Sequence, residues 1–182
     1  MSRISVAMAT YNGEKYLEEQ LTSIANQTLQ ADELVISDDG STDETVKIAR
    51  RFAETSGIET MVIEKPERLG YVRNFERALS ACSCDGNIVS AGINSDEFVW
   101  GCGIALKRSW LKIAIPFIPE CYARDNWINR LAIAFEARIL LRQPLQYYRR
   151  HDHNASLWAL SNPEQPIVEQ RPAIVDAKEL QK

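Results

Sequence analysis

Histidine is almost missing from this chain of 182 residues, with only His151 and His153, one residue apart. Its four cysteines, Cys82, Cys84, Cys102 and Cys121, include no Cys-x-x-Cys pair. No His/Cys cluster follows Cys82-x-Cys84, so a structural zinc site lacks a ligand set and buried or free thiols are expected. There is neither a Gly-x-Gly-x-x-Gly fingerprint nor a Walker P-loop, which argues against dinucleotide-binding and NTPase readings. Positive charge is not in excess: 21 Lys and Arg face 25 Asp and Glu, a net charge of -4, which argues against a general nucleic-acid surface. No apolar run reaches the length that a bilayer requires, and Met1-Ser2-Arg3-Ile4 leads into a strand-like run without a signal-peptide pattern. A reducing, cytoplasmic location is the expectation. Internal repeats and low-complexity tracts are also lacking.

What remains is 45% hydrophobic and 25% charged, the composition of one globular domain with a real core. Ile4 to Ala9 is an apolar run suited to a buried strand, and Leu34 to Ser37 is a second. Between them Leu17, Leu21, Ile24 and Ala25 recur on one helical face, with Lys15, Glu18 and Glu19 on the other. A second helix carries Val46, Ile48, Ala49, Phe52 and Ala53 and has Gly57 as its stop. Thr60 to Glu64 reads as a third strand, and Tyr71 to Cys82 as a third helix with Val72, Phe75, Ala78 and Leu79 inward. Alternation of this kind predicts parallel strands joined by helical crossovers. Further on, Gly101 to Leu106 reads as a strand entering a short helix at Ser109. Asp125 to Phe135 reads as a helix, and Arg138–Leu141 and Leu145–Tyr148 as short strands. From Asn162 onward prolines and scattered charges suggest a surface tail.

The segment Val35-Ile36-Ser37-Asp38-Asp39-Gly40-Ser41-Thr42-Asp43 stands out. An apolar strand stops at two adjacent carboxylates, followed by a glycine turn and a helix. Ligands of open α/β sheets bind at the carboxyl ends of strands, where this pair lies. Turn chemistry and a Ser41-x-x-Glu44 capping box account for Gly40, Ser41 and Glu44, but they need at most one aspartate. A receiver domain of a response regulator would carry its acidic pair after the first strand rather than the second.

Several blocks then fall in one order. Val6-Ala7-Met8-Ala9-Thr10-Tyr11-Asn12-Gly13, Leu21 to Gln27, Ser37 to Asp43 and Gly70-Tyr71-Val72-Arg73-Asn74-Phe75 resemble the inverting, family 2 glycosyltransferases. Gly101-Cys102-Gly103-Ile104-Ala105, Arg124-Asp125-Asn126-Trp127 and Tyr148-Arg149-Arg150-His151-Asp152-His153-Asn154 resemble the later motifs of that family. The resemblance implies an α/β, GT-A-like (Rossmann-like) sandwich with a mainly parallel central sheet. It spans a glycosyltransferase-like domain at residues 1–156, followed by a tail at 157–182.

By the same resemblance, Thr10, Tyr11 and Asn12 line a nucleotide pocket whose edge Glu14 reaches. Asp38 accepts a hydrogen bond from N3–H of a uracil or thymine, with Asp39 beside it, and Arg73 approaches the diphosphate. Asp125 removes the proton of the acceptor hydroxyl. A carboxylate suits the base contact because it is acceptor-only when ionised, and it suits proton removal because inversion needs a base on the face opposite the leaving nucleotide. Packing of Tyr11, solvation of Arg73 and capping of a helix by Asp125 are the structural alternatives.

The family pattern also includes an Asp-x-Asp element that holds Mg²⁺ or Mn²⁺ on the diphosphate, and this sequence contains none. Asp85 opens the expected strand, and the pair Asp96-Glu97 is the nearest substitute. Asp96 is thus one candidate metal ligand, and His151 is another through the resemblance, in which Arg149-x-His151 meets the diphosphate or its metal; a solvated surface loop is the alternative for that segment. Gly101 follows almost at once, so the domain reads as truncated internally. The resemblance implies a nucleoside-diphosphate sugar of UDP or dTDP type as donor and a glycan or lipid-linked acceptor. No nucleic-acid partner is expected, and a peripheral seat on the inner face of a membrane is compatible with the pattern. The alternatives are a catalytically impaired nucleotide-sugar binding or interaction domain, and an unrelated nucleotide-binding regulatory α/β domain.

Overall fold

The computed structural model describes residues 3–83, 89–91, 104–117, 124–135 and 140–141. The first half alternates strand and helix as the periodicity predicts: β1 (Ser5–Thr10), α1 (Glu14–Ala25), β2 (Glu33–Asp38), α2 (Thr45–Thr55), β3 (Glu59–Glu64) and α3 (Tyr71–Ala81). The three strands form one parallel sheet in the order β1-β2-β3.

β2 is central, and all six of its residues are buried. Successive side chains on a strand point to opposite faces, so its apolar run feeds two cores. Leu34 and Ile36 join Met8, Leu17, Leu21, Ala49 and Ile58 beneath α1 and α2. Val35 points the other way and meets Ala78 of α3 and Cys82 just past its end. The result is three layers, helix on sheet on helix. Truncating a core residue such as Leu34 leaves a cavity and costs about 2–5 kcal/mol. α2 ends at Thr55, and Gly57 follows at φ 76°, a left-handed conformation open to glycine without a Cβ penalty.

In the second half, β4 (Val89–Ala91) pairs antiparallel with β5 (Ile104–Ala105) and parallel with β6 (Leu140–Leu141). α4 (Arg108–Ala114) and α5 (Arg124–Ala134) follow the predicted short helix and the helix at Asp125. Ala114, Phe117 and Ile128 form a third cluster, against which Val72 and Leu79 of α3 pack. The Trp127 indole N–H donates to the carbonyl of Ala114 at 3.1 Å, tying α5 to the end of α4. The expected strand at Leu145–Tyr148, the tail at 157–182, the Gly101-Cys102-Gly103 block, Asp85, Asp96 and the segment containing Arg149, His151 and His153 lie outside the described residues. No helix among the described residues is long and apolar enough to cross a membrane.

Strand register places the site. Thr10 pairs with Asp38 and Asp38 with Glu64, so the carboxyl ends of β1, β2 and β3 finish level with one another.

Candidate functional site

The acidic pair is divided by the pleat. Asp38 is the last residue of β2 and is 2% exposed, and its carboxylate turns toward β1. It accepts from the Thr10 hydroxyl at 2.8 Å, from the Ser41 backbone N–H at 2.8 Å and from the Ser41 hydroxyl at 2.6 Å. Asp39, 3% exposed, is turned toward the connection after β3. It accepts from the backbone N–H of Leu69 at 2.7 Å and of Gly70 at 3.0 Å. An ionised carboxylate offers about four acceptor positions. Asp38 uses three of them within the protein and Asp39 two. Each carboxylate of the pair thus has its own set of donors.

Gly40 makes this turn at φ 80°, and a Cβ there would lie 3.3 Å from the carbonyl oxygen of Pro66. Both the left-handed backbone and the close approach of the 65–70 segment require glycine.

The loops after β1 and β2 are stitched together. Asn12 sits at φ 45°, which asparagine tolerates better than most side chains. Its Oδ1 accepts from Thr42 N–H at 2.9 Å, and its own N–H donates to the Ser41 hydroxyl at 2.8 Å. The two helix starts cap each other. The Asp43 carboxylate accepts from the N–H of Glu14, at 3.1 Å, and of Thr45, at 3.0 Å, while the Glu14 carboxylate accepts from Glu44 N–H at 2.9 Å. Burial pushes the Asp43 carboxyl up, but the hydrogen bonds from Thr45 and Glu14 outweigh it and hold it below the usual carboxylate range. The expected Ser41-x-x-Glu44 capping box does not form, because the Ser41 hydroxyl is committed to Asp38 and the cap comes from Asp43 and from α1.

Beneath the pair, Asn74 of α3 is 2% exposed. Its amide donates to the Thr10 carbonyl at 3.1 Å and accepts from the Ser37 hydroxyl at 2.7 Å. Arg77, one turn further along α3, donates to Ser37 Oγ at 2.6 Å, to the Asp38 carbonyl at 2.5 Å and to Asn74 Oδ1 at 2.9 Å. Its Nη1 is buried without a partner among the described residues. Arg73, expected at the diphosphate, is exposed and makes no hydrogen bond or ion pair among the described residues. The missed signal was spacing: Asn74 and Arg77 are i, i+3, on the face of α3 that turns toward the strand ends.

Above the pair, the Tyr11 ring is 42% exposed, and the Arg68 guanidinium lies 4.1 Å from its centroid. The structure thus brings Thr10, Tyr11, Asn12, Glu14, Asp38 and Asp39 to one end of the sheet. Asp125 lies in the first turn of α5, where its carboxylate accepts from Asn126 N–H at 2.9 Å. Asp96 and His151 are outside the described residues, and among the described residues no three His, Cys, Asp or Glu side chains gather as a metal site would require.

The family model for glycosyl transferase family 2 matches residues 5–99, just over half of the chain. The chain is 35% identical over 96 residues to the putative glycosyltransferase EpsH of Bacillus subtilis, covering 53% of this chain and 26% of that protein. It is 36% identical over 123 residues to the poly(ribitol-phosphate) beta-N-acetylglucosaminyltransferase TarS of Staphylococcus aureus, covering 66% of this chain and 19% of TarS. The first curated relatives it matches are much longer, and the chain spans between about a quarter and a third of their length. A crystal structure of S. aureus TarS residues 1–349 in complex with UDP superposes with a TM-score of 0.65 at 18% identity, over 78% of this chain and 58% of that one. That likeness establishes the fold as the expected GT-A-like, mainly parallel α/β sandwich.

Proposed function

The chain belongs to glycosyl transferase family 2, and from that premise we propose that its strand ends hold a nucleoside-diphosphate sugar, of UDP or dTDP type, for transfer to an acceptor hydroxyl with inversion. One observation carries this reading: the Thr10–Asn12 loop, the Asp38-Asp39 pair and the 65–70 segment converge at the carboxyl ends of three parallel strands. That is the ligand position of an open α/β sheet, and it lies within the segment matched by the family.

The division of labour in the pair refines the expected base contact. Asp38 has most of its acceptor positions engaged, whereas Asp39 keeps about two open. Asp39 then accepts N3–H of the base, and Asp38 fixes the strand end against Thr10 and Ser41. Tyr11 and Asn12 line the nucleotide, and Arg73, exposed at the start of α3, reaches its diphosphate. Asp125 acts as the general base: it takes the acceptor hydroxyl proton while that oxygen attacks the sugar carbon opposite the departing nucleotide. Mg²⁺ or Mn²⁺ on the diphosphate, with Asp96 and His151 as ligands, would neutralise charge on the leaving group. The described residues alone do not form that site.

The acceptor in this reading is a glycan or lipid-linked sugar of a surface polysaccharide, met on the cytoplasmic face of a membrane. Its support is the likeness to TarS, a poly(ribitol-phosphate) beta-N-acetylglucosaminyltransferase. The second reading, a nucleotide-sugar binding domain impaired in catalysis, is favoured by the missing Asp-x-Asp element. The domain in either case occupies residues 1–156.

Calorimetric titration with UDP, dTDP and GDP, with and without Mn²⁺, tests the pocket. Asp39→Asn is expected to abolish selective binding of the uracil and thymine nucleotides. Binding of all three nucleotides by Asp39→Asn as tightly as by the native chain would refute the base contact. Full transfer activity in Asp125→Asn would remove Asp125 as the base, and binding without transfer in the native chain would favour the second reading.

A further inference from the structure

Arg68 has no place in the site as derived so far, yet it covers one of its walls. It is exposed and lies next to Glu67 in sequence, but it makes no hydrogen bond or ion pair among the described residues. Its guanidinium instead rests on the Tyr11 ring, 4.1 Å from the centroid. An arginine on an aromatic face gains electrostatic and stacking contact while keeping its donors free. The backbone beside it does not drift, because Asp39 accepts from both Leu69 N–H and Gly70 N–H.

We propose that Arg68 is the movable half of a base clamp, in which the pyrimidine of the bound nucleotide is sandwiched between the Tyr11 ring and the Arg68 guanidinium. The proposal rests on the reading that the strand ends bind a nucleotide. A planar base has contacts of about 3.5–4 Å on each face, so the two walls must stand roughly 7–8 Å apart to admit it. At 4.1 Å the slot is shut, and the guanidinium withdraws by roughly 3–4 Å to let the base enter. The anchored backbone at Leu69 and Gly70 leaves that movement to the long Arg68 side chain. The same anchor keeps the guanidinium over the pocket, so it settles on the outer face of the base. Asp39 would read the edge of the base while bonded to the segment that carries the lid, which couples base identity to closure.

The test is titration of the full chain with uridine, UDP and inorganic pyrophosphate, followed by protein NMR. Arg68→Ala and Arg68→Lys are each expected to weaken uridine and UDP by the same factor, roughly tenfold, the scale of one lost stacking face. Pyrophosphate binding is expected to be unchanged. Because Arg68 is exposed, the variants should unfold at the native temperature, which a thermal melt checks. A loss confined to UDP and pyrophosphate would overturn the clamp in favour of a phosphate contact. Unchanged or tighter uridine binding would reduce Arg68 to an obstacle on Tyr11. A native chain that binds neither uridine nor UDP would refute the nucleotide reading, and the clamp with it.

Discussion

Asp38 gives the sharpest test of how the strand end is built. Replacing it with alanine removes three hydrogen bonds at once and leaves the Ser41 N–H and the Thr10 and Ser41 hydroxyls without their acceptor. Hydrogen bonds to a charged group contribute about 1.5–3 kcal/mol each, but the hydroxyls can rotate and part of the turn can be reached by water. A net loss of about 3 kcal/mol follows, at the upper end of ordinary single substitutions. With a urea m-value of about 2 kcal/mol/M, the unfolding midpoint should fall by about 1.5 M. Asp38→Asn should recover roughly half of that, since its Oδ1 can still take Ser41 N–H while its amide donates to the hydroxyl oxygens. Urea titration followed by circular dichroism measures both shifts. A double-mutant cycle with Thr10→Val should return a coupling of about 1 kcal/mol. A midpoint for Asp38→Ala equal to that of the native chain, or zero coupling to Thr10, would refute the assignment of Asp38 as the anchor.

Three further outcomes are expected. Gly40→Ala should destabilise by about 1–3 kcal/mol, from a Cβ at positive φ and its 3.3 Å contact with the Pro66 carbonyl, read as a lower melting temperature. Asp43 has its folded pKa depressed, so its contribution is fully present above the ordinary carboxylate range and is lost as pH falls through the depressed value. Asp43→Asn should therefore melt below the native chain at neutral pH, and the two curves should converge in acid. Arg77→Lys should cost about 1–2 kcal/mol in chemical denaturation, because an ammonium cannot reproduce a fork that reaches Ser37, the Asp38 carbonyl and Asn74 together.

The first three βα units were legible because each apolar run had one clear period. Leu17, Leu21 and Ile24 mark α1 at helical spacing, and the unbroken Leu34-Val35-Ile36 marks a strand buried on both faces. That the acidic pair ends a central strand was legible for the same reason, since strand ends follow from strands. What its two carboxylates touch was not. Which way Asp38 and Asp39 turn depends on the pleat, and what they meet depends on Thr10 and on Leu69–Gly70, some thirty residues away. The cap of α2 was misjudged because one of its partners, Glu14, belongs to another helix. The reach of Arg77 to the strand ends was not legible, because it requires knowing which face of α3 meets the sheet.

The exchange of caps between Glu14 and Asp43 bears on where the chain accepts an insertion. Each helix start supplies an acceptor to the other, so the β1–α1 and β2–α2 loops act as one splint across the strand ends. Inserting even a residue or two at 11–13 would shift both helix starts, not one. The α1–β2 connection at the opposite end of the sheet is different, with Gln27 to Gln30 all exposed. A short flexible insertion between Thr28 and Gln30 should keep the fold, whereas one between Asn12 and Glu14 should lose it. The end of the sheet proposed to hold the nucleotide is thus also the end that tolerates the least rewiring.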